Sequence, residues 1–347
     1  MLQVLTNPWR GGGLPAAGLA PLADASPVAE LLSRCPAHAT TPLHEMPTLA
    51  AAVGVARLSL KDERQRMGLG SFKALGAAHA IAREAAACSG ADLGHALKGR
   101  VYVTASAGNH GLSVASGARL FGARAVIYLS DAVPEAFAER LRAKGAEVIR
   151  AGADYEASMQ AAADAAEAQG WTLLSDSSWP GYTELPLRVM EGYLQLAAEA
   201  AMQIDTAPSH ILLQAGVGGL AAAVAAHARV VWGDGPQIIV VEPEAAPALM
   251  EGIRAGQVVD TSGPLSCMGR LDCKTASMIA LTGLARDADV FGTISEDDAR
   301  WATELLAEHG LPTTPSGAAG VAALVAGLDL PADAHVLAIL SEGPEDG

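Results

Sequence analysis

Short, unbroken apolar runs constrain this chain more than any other feature. "RVYVTA" (100–105), "RAVIYLS" (124–130), "HILLQAG" (210–216), "QIIVVEPE" (237–244) and "HVLAILSEG" (335–343) do not alternate apolar with polar residues. A strand with one wet face would alternate. Strands buried on both faces belong to parallel sheets covered by helices. Helix-length segments lie between the runs, among them "SFKALGAAHAIAREAAA", "HGLSVASGARLFG" and "VPEAFAERLRAKG". The last has Pro134 near its first turn and Gly145 beyond its end, the usual helix asymmetry. The pattern predicts an α/β fold with two doubly wound, mainly parallel-sheet domains. Residues 1–45, rich in Pro, Gly and Ala, read as an irregular arm with one short helix near 26–34.

Composition narrows the partners. The 347 residues carry a formal charge of −15, and half are hydrophobic. Such a background disfavours nucleic acid and acidic membrane surfaces. The longest apolar tract, "ILLQAGVGGLAAAVAA", is interrupted by glycines and Gln214 and falls short of a membrane span. The N-terminal stretch lacks a basic start followed by an apolar run, so the expected location is cytoplasmic. Cys35, Cys88, Cys267 and Cys273 form no CxxC pair and no metal ligand set is assigned; Cys267 and Cys273 are near enough in sequence to leave a bridge open.

Ligands in doubly wound sheets sit beyond the C-terminal ends of the strands, so three strand-to-helix turns matter most. In "GSFKALG", Lys73 opens a helix amid small and apolar residues. Both the helix N-terminus and apolar surroundings disfavour an ammonium, which suits a neutral, nucleophilic amine able to form a Schiff base; a surface lysine on an amphipathic helix is the plainer alternative. In "LLQAGVGGLAAAV", Gly216, Val217, Gly218, Gly219 and Leu220 present backbone N–H groups at a helix start, a cradle for phosphate. The same glycines fit a dinucleotide site, with Glu242 after the next strand as the ribose-binding acid, which makes an NAD-dependent dehydrogenase a rival reading. In "TASAGNHG", small residues expose N–H groups that suit a carboxylate, and Asn109 adds a donor; Ser106 or Asn109 as a helix N-cap is the plainer alternative. A phosphate cradle, a carboxylate site and an amine together point to pyridoxal phosphate acting on an amino acid.

These motifs, in this order, resemble the fold-type-II pyridoxal-phosphate enzymes, the tryptophan-synthase β-subunit type. Within that group "KDERQRMGLGSFKALG", "SDSSWPGY", "QAGVGGLAAAV", "CMGRLDC" and "PSGAAG" are most similar to the diaminopropionate ammonia-lyases. The resemblance spans "NPWR" to the last strand. It implies that Lys73 binds pyridoxal 5'-phosphate and later moves the substrate α-proton. It implies that Asn109 bonds the cofactor's phenolic oxygen, that residues 216–220 cradle its phosphate and that Ser341 faces its ring nitrogen. A neutral hydroxyl there makes the ring a weaker electron sink, which favours β-elimination over reactions that need a long-lived carbanion. Ser106, Ala107, Asn109 and His110 would hold the substrate carboxylate, and Asp176 of "SDSSWPGY" would be a second catalytic group. Residues 1–77 with 186–347 would form the large cofactor-binding domain and 78–185 a smaller mobile one, in a homodimer.

One departure bears on stereochemistry. The ammonia-lyase loop carries an aspartate that serves the D-isomer where this chain has Ala107. Retained Asp176 without that acid implies β-elimination from a small L-amino acid such as L-2,3-diaminopropionate, giving a 2-oxo acid and ammonia. Arg270 or Asp272, in a segment less polar in the family, would read the substrate's far end, an arginine suiting an acidic side chain such as that of 3-hydroxyaspartate; a surface salt bridge is the plainer alternative. A dehydratase of L-serine, L-threonine or 3-hydroxyaspartate, a racemase, and a non-catalytic ligand-binding protein are the alternatives.

Overall fold

The computed structural model describes residues 2–16, 18–88 and 92–344. Its strands are β1 (Gln3–Thr6), β2 (Leu43–Glu45), β3 (Arg57–Asp62), β4 (Val101–Ala105), β5 (Arg124–Leu129), β6 (Glu147–Arg150), β7 (Thr172–Leu173), β8 (His210–Gln214), β9 (Gln237–Pro243), β10 (Val290–Ile294) and β11 (His335–Leu340). The α-helices are α1 (Ser26–Leu32), α2 (Pro47–Ala52), α3 (Gly76–Ala87), α4 (Asn109–Leu120), α5 (Glu135–Ala143), α6 (Tyr155–Gln169), α7 (Glu184–Gln203), α8 (Gly219–Trp232), α9 (Ala248–Ala255), α10 (Met278–Asp287), α11 (Glu296–Glu308) and α12 (Pro315–Val325).

Two sheets result. The larger runs β1-β10-β9-β8-β11-β3-β2, parallel through its centre with antiparallel β1 and β2 at its edges. The smaller runs β6-β5-β4-β7, all parallel. Strands β4, β8, β10 and β11 are buried along their whole length, as their unbroken apolar runs require. The chain matches a mixed α/β architecture of parallel sheets covered by helices.

The arm is not irregular throughout. β1 and β2 lie within residues 1–45 and close opposite edges of the larger sheet. Both are short, and β1 is mostly exposed, so neither announces itself as an apolar run. Buried Asn7 fastens the arm: its Nδ2 donates to the carbonyls of Ala285 at 2.9 Å and Ala288 at 2.6 Å, at the end of α10.

Two features fix the segment that carries Lys73. Helices α3 and α7 cross closely because of glycine: a Cβ on Gly192 would lie 2.1 Å from the Leu75 carbonyl oxygen, and one on Gly76 would lie 2.7 Å from the Tyr193 hydroxyl. Below them sits a wholly buried charge network. Arg66 donates to Glu63 and to Glu199, each through two N–H groups, and Lys61 donates to Glu199 at 2.8 Å. Thr41 and Gln203 complete the shell around the Lys61 ammonium. Burial pushes the Glu199 carboxyl up, but Arg66 and Lys61 hold it down to about 2.

A carboxylate depressed in the fold contributes stability that is present above its unfolded value of 4.5 and lost as pH falls through about 2. Glu199→Gln is expected to destabilise the chain by about 3–5 kcal/mol at neutral pH, because it leaves buried cations uncompensated. The gap to wild type should shrink as pH falls from 4.5 towards 2, read by urea denaturation at each pH.

Candidate active site

Strand order reverses at two places, between β8 and β11 in the larger sheet and between β4 and β7 in the smaller. Such switch points open a crevice at the C-terminal strand ends. At the first, pairing runs only as far as Leu212 and Ala338; beyond it, the Gln214 side-chain amide donates to the Ile339 carbonyl at 2.9 Å across the parting strands. The residues singled out by sequence follow these four strands: Gly216–Leu220 after β8, Ser341 after β11, Ser106–His110 after β4 and Asp176 after β7. Lys73 comes from the segment after β3, in a 3₁₀ turn spanning Phe72–Leu75 just before α3.

Lys73 Nζ donates to Asp176 Oδ2 in a close ion pair, both side chains largely buried. This corrects the expectation of a neutral amine. Burial does push the ammonium down, but the charge of Asp176 outweighs it and raises the lysine well above its ordinary value. Burial pushes Asp176 up; Lys73 and His110 outweigh it and hold the carboxylate ionised. The helix-start effect assumed from sequence does not act alone, because the counter-charge arrives from the other sheet. His110 lines up behind the pair. Its Nε2 donates to the Leu174 carbonyl at 2.8 Å, and its Nδ1 faces Asp176 Oδ2 at 4.0 Å. Burial lowers the imidazole's pKa.

The glycine loop is built around backbone. Gly218 has φ +97°, and a Cβ there would crowd Ala280 and Leu249 at 3.0 Å. A Cβ on Gly216 would lie 2.9 Å from Cys273 Sγ. Helix α8 begins at Gly219 with no side-chain cap, so its first N–H groups are offered at the crevice. In the "TASAGNHG" loop the N-cap of α4 is Gly108, not Ser106 or Asn109. Ser106 still serves the turn: its hydroxyl accepts from the N–H groups of Gly108 at 3.3 Å and Gly111 at 3.2 Å. Asn109 Nδ2 donates to Glu342 at 2.5 Å. Ala107 is half-buried against the core. Buried Ser341 follows β11, and its carbonyl accepts from Phe72 N–H at 3.0 Å, tying it to the Lys73 turn. Arg270 Nε lies 3.5 Å from Glu342 Oε2, so the arginine is ion-paired inside the site's rim rather than on the outer surface.

Two readings that the sequence leaves open are decided here: the rival dinucleotide site, and a bridge against free thiols. Glu242 is fully buried, and its two oxygens accept the N–H groups of Leu249 at 2.7 Å and Met250 at 2.8 Å at the start of α9. It closes a helix end and offers nothing to a ribose, which removes the main support for a dinucleotide site. Cys267 and Cys273 are free thiols that face apart, Cys267 towards the Glu296 carbonyl and Cys273 towards Gly216.

Sequence reasoning missed Tyr193 and Glu342. Tyr193 is buried in α7, its ring centroid 5.8 Å from Lys73 Nζ, and its hydroxyl has no hydrogen-bond partner among the described residues. Nothing in a helical repeat distinguishes it from core. An amine, an uncapped helix start lined with glycine and an unused buried hydroxyl fit a phosphorylated aldehyde such as pyridoxal phosphate.

Family comparison agrees. Residues 35–342 match the pyridoxal-phosphate dependent enzyme family, and the chain belongs to it. Among its relatives is the diaminopropionate ammonia-lyase of Salmonella typhimurium, 33% identical over 351 residues, covering 89% of this chain and 86% of that protein. The Escherichia coli diaminopropionate ammonia-lyase solved with D-serine superposes with a TM-score of 0.90 at 28% identity, covering 100% of this chain and 95% of that one. The same enzyme solved with an aminoacrylate-PLP azomethine reaction intermediate superposes at 0.88, covering 100% of this chain and 94% of that one.

Removing the counter-charge should free the amine. In Asp176→Asn the Lys73 pKa is expected to fall, so reductive methylation of Lys73 at neutral pH should be faster than in wild type. Peptide mass spectrometry over a pH series reads this; an unchanged rate would contradict the pairing.

Proposed function

We propose that this chain eliminates the β-amino group of L-2,3-diaminopropionate, yielding pyruvate and ammonia. The observation that carries the reading is the Lys73–Asp176 pair, set beside the glycine loop at the meeting of two switch points. Bound pyridoxal phosphate supplies the electron sink for the charge left at the substrate α-carbon. Lys73 would hold the cofactor, with residues 216–220 for its phosphate, Asn109 for its phenolic oxygen and Ser341 for its ring nitrogen. Asp176 keeps Lys73 charged in the cofactor-free chain; as the neutral amine, Lys73 Nζ would take the substrate α-proton. Asp176 Oδ2, already the partner of that nitrogen, relays the proton to the departing amine. His110 Nδ1 faces the same carboxylate at 4.0 Å. The Ser106–His110 turn receives the substrate carboxylate on its backbone N–H groups.

Arg270 lines a cavity of about 490 Å³ with Thr314, Ser316 and Glu342; its charge suits the acidic end of 3-hydroxyaspartate, an alternative substrate, and not the β-amine of diaminopropionate. Residues 78–185 act as the smaller mobile domain, whose closure excludes water while the α-carbon is charged. A cytoplasmic homodimer completes the reading. The family resemblance supports the dimer, and among the described residues no helix is long and apolar enough to cross a membrane.

Coupled assays for 2-oxo acid and ammonia are expected to show turnover of L-2,3-diaminopropionate, with one ammonia from each nitrogen-bearing carbon. Little turnover is expected of the D-isomer, because Ala107 has no proton-transferring group. Equal rates on both isomers would contradict this stereochemistry, and faster release from L-serine, L-threonine or 3-hydroxyaspartate would make the leaving group a hydroxyl. Asp176→Asn should keep the visible absorbance of the bound cofactor but lose about 10²–10⁴-fold in kcat. Turnover that survives in that variant would place the acid elsewhere.

A further inference from the structure

Glu342 is a buried carboxylate to which no catalytic or cofactor-binding role has yet been given. It follows Ser341 at the end of β11. One oxygen accepts from Asn109 Nδ2 at 2.5 Å, and the other accepts from the Thr314 hydroxyl. Thr314 is the N-cap of α12, and Asn109 is the first residue of α4. The carboxylate therefore lies between two helix N-termini, one from each sheet's layer, where negative charge is favoured. Arg270 Nε approaches at 3.5 Å, and its side chain covers Gly108: a Cβ there would lie 3.3 Å from Nε.

We propose that Glu342 is a positioning residue that acts through Asn109, a role that rests on the cofactor reading above. A carboxamide can flip and exchange its donor for its acceptor at little cost. A carboxylate can only accept here, so it selects the orientation with Nδ2 towards the tail. That nitrogen has two hydrogens. Glu342 takes one, and the other stays a donor on the cofactor side. Without Glu342 the flipped amide presents Oδ1 instead, an acceptor that repels an anionic ring oxygen. The same bond docks the start of α4, with its carboxylate-binding turn, onto the larger sheet.

The test compares Glu342→Ala, Glu342→Gln, Asn109→Ala and the Glu342→Ala/Asn109→Ala double variant. Pyridoxal phosphate is titrated into each cofactor-free chain by visible absorbance over a pH series, and amide hydrogen exchange of 109–120 is followed without cofactor. Glu342→Ala should weaken cofactor binding about tenfold, shift the pH dependence of the visible band and speed exchange in α4. Asn109→Ala should match it in affinity, and the double variant should lose no more than either single one. Glu342→Gln keeps an acceptor oxygen and should stay within a few-fold of wild type. Additive losses, or a Glu342→Ala variant with wild-type affinity, band and exchange, would overturn the proposal. A wild-type chain that binds no pyridoxal phosphate would overturn the cofactor reading and this role of Asn109 together.

Discussion

The ion pair between Lys73 and Asp176 is the interaction on which the site depends. The two residues come from different layers, one from the turn before α3 and one from the end of β7. Burial alone would drive both towards their neutral forms. Together each holds the other charged, against its own desolvation. A proton is thus held between an amine and a carboxylate that meet at the crevice. The pair also sets a geometric demand, because Lys73 must arrive at the small sheet's switch point while the helix that follows it, α3, packs between α4 and α7.

That demand explains several features that carry no chemistry. Gly76 and Gly192 let α3 and α7 approach to a distance that a single Cβ would forbid. The Arg66–Glu63–Glu199–Lys61 network anchors the stretch between β3 and the Lys73 turn in a region with no water to solvate it. Glu342 and Thr314 tie the turn after β4 to the large sheet from the opposite side. The lysine is held from below, from behind and across the crevice, so its amine is aimed by the scaffold rather than by the ligand.

Much of this was legible in the amino-acid sequence where the physics is local. Unbroken apolar runs reveal β4, β8, β9 and β11, because burial on both faces leaves no room for polar residues. A strand end followed by glycine reveals the loop before α8 and its uncapped helix start. Edge strands β1 and β2 escape notice, since half-exposed short strands carry no such run. What depends on a distant partner was misread or missed. Lys73 reads as neutral until Asp176, more than a hundred residues on, supplies its counter-charge. Glu242 reads as a ligand-binding acid until α9 returns its N–H groups to it. Tyr193 and Glu342 belong to a helix face and a tail, and only the crossing of layers brings them to the site.

The central claim is that Lys73 is the amine that holds pyridoxal phosphate. Borohydride reduction of the cofactor-loaded chain, followed by proteolysis and peptide mass spectrometry, tests it most directly. The account predicts one phosphopyridoxyl group per chain, on Lys73. An unmodified Lys73 peptide, or label spread over exposed lysines such as Lys98, would contradict it.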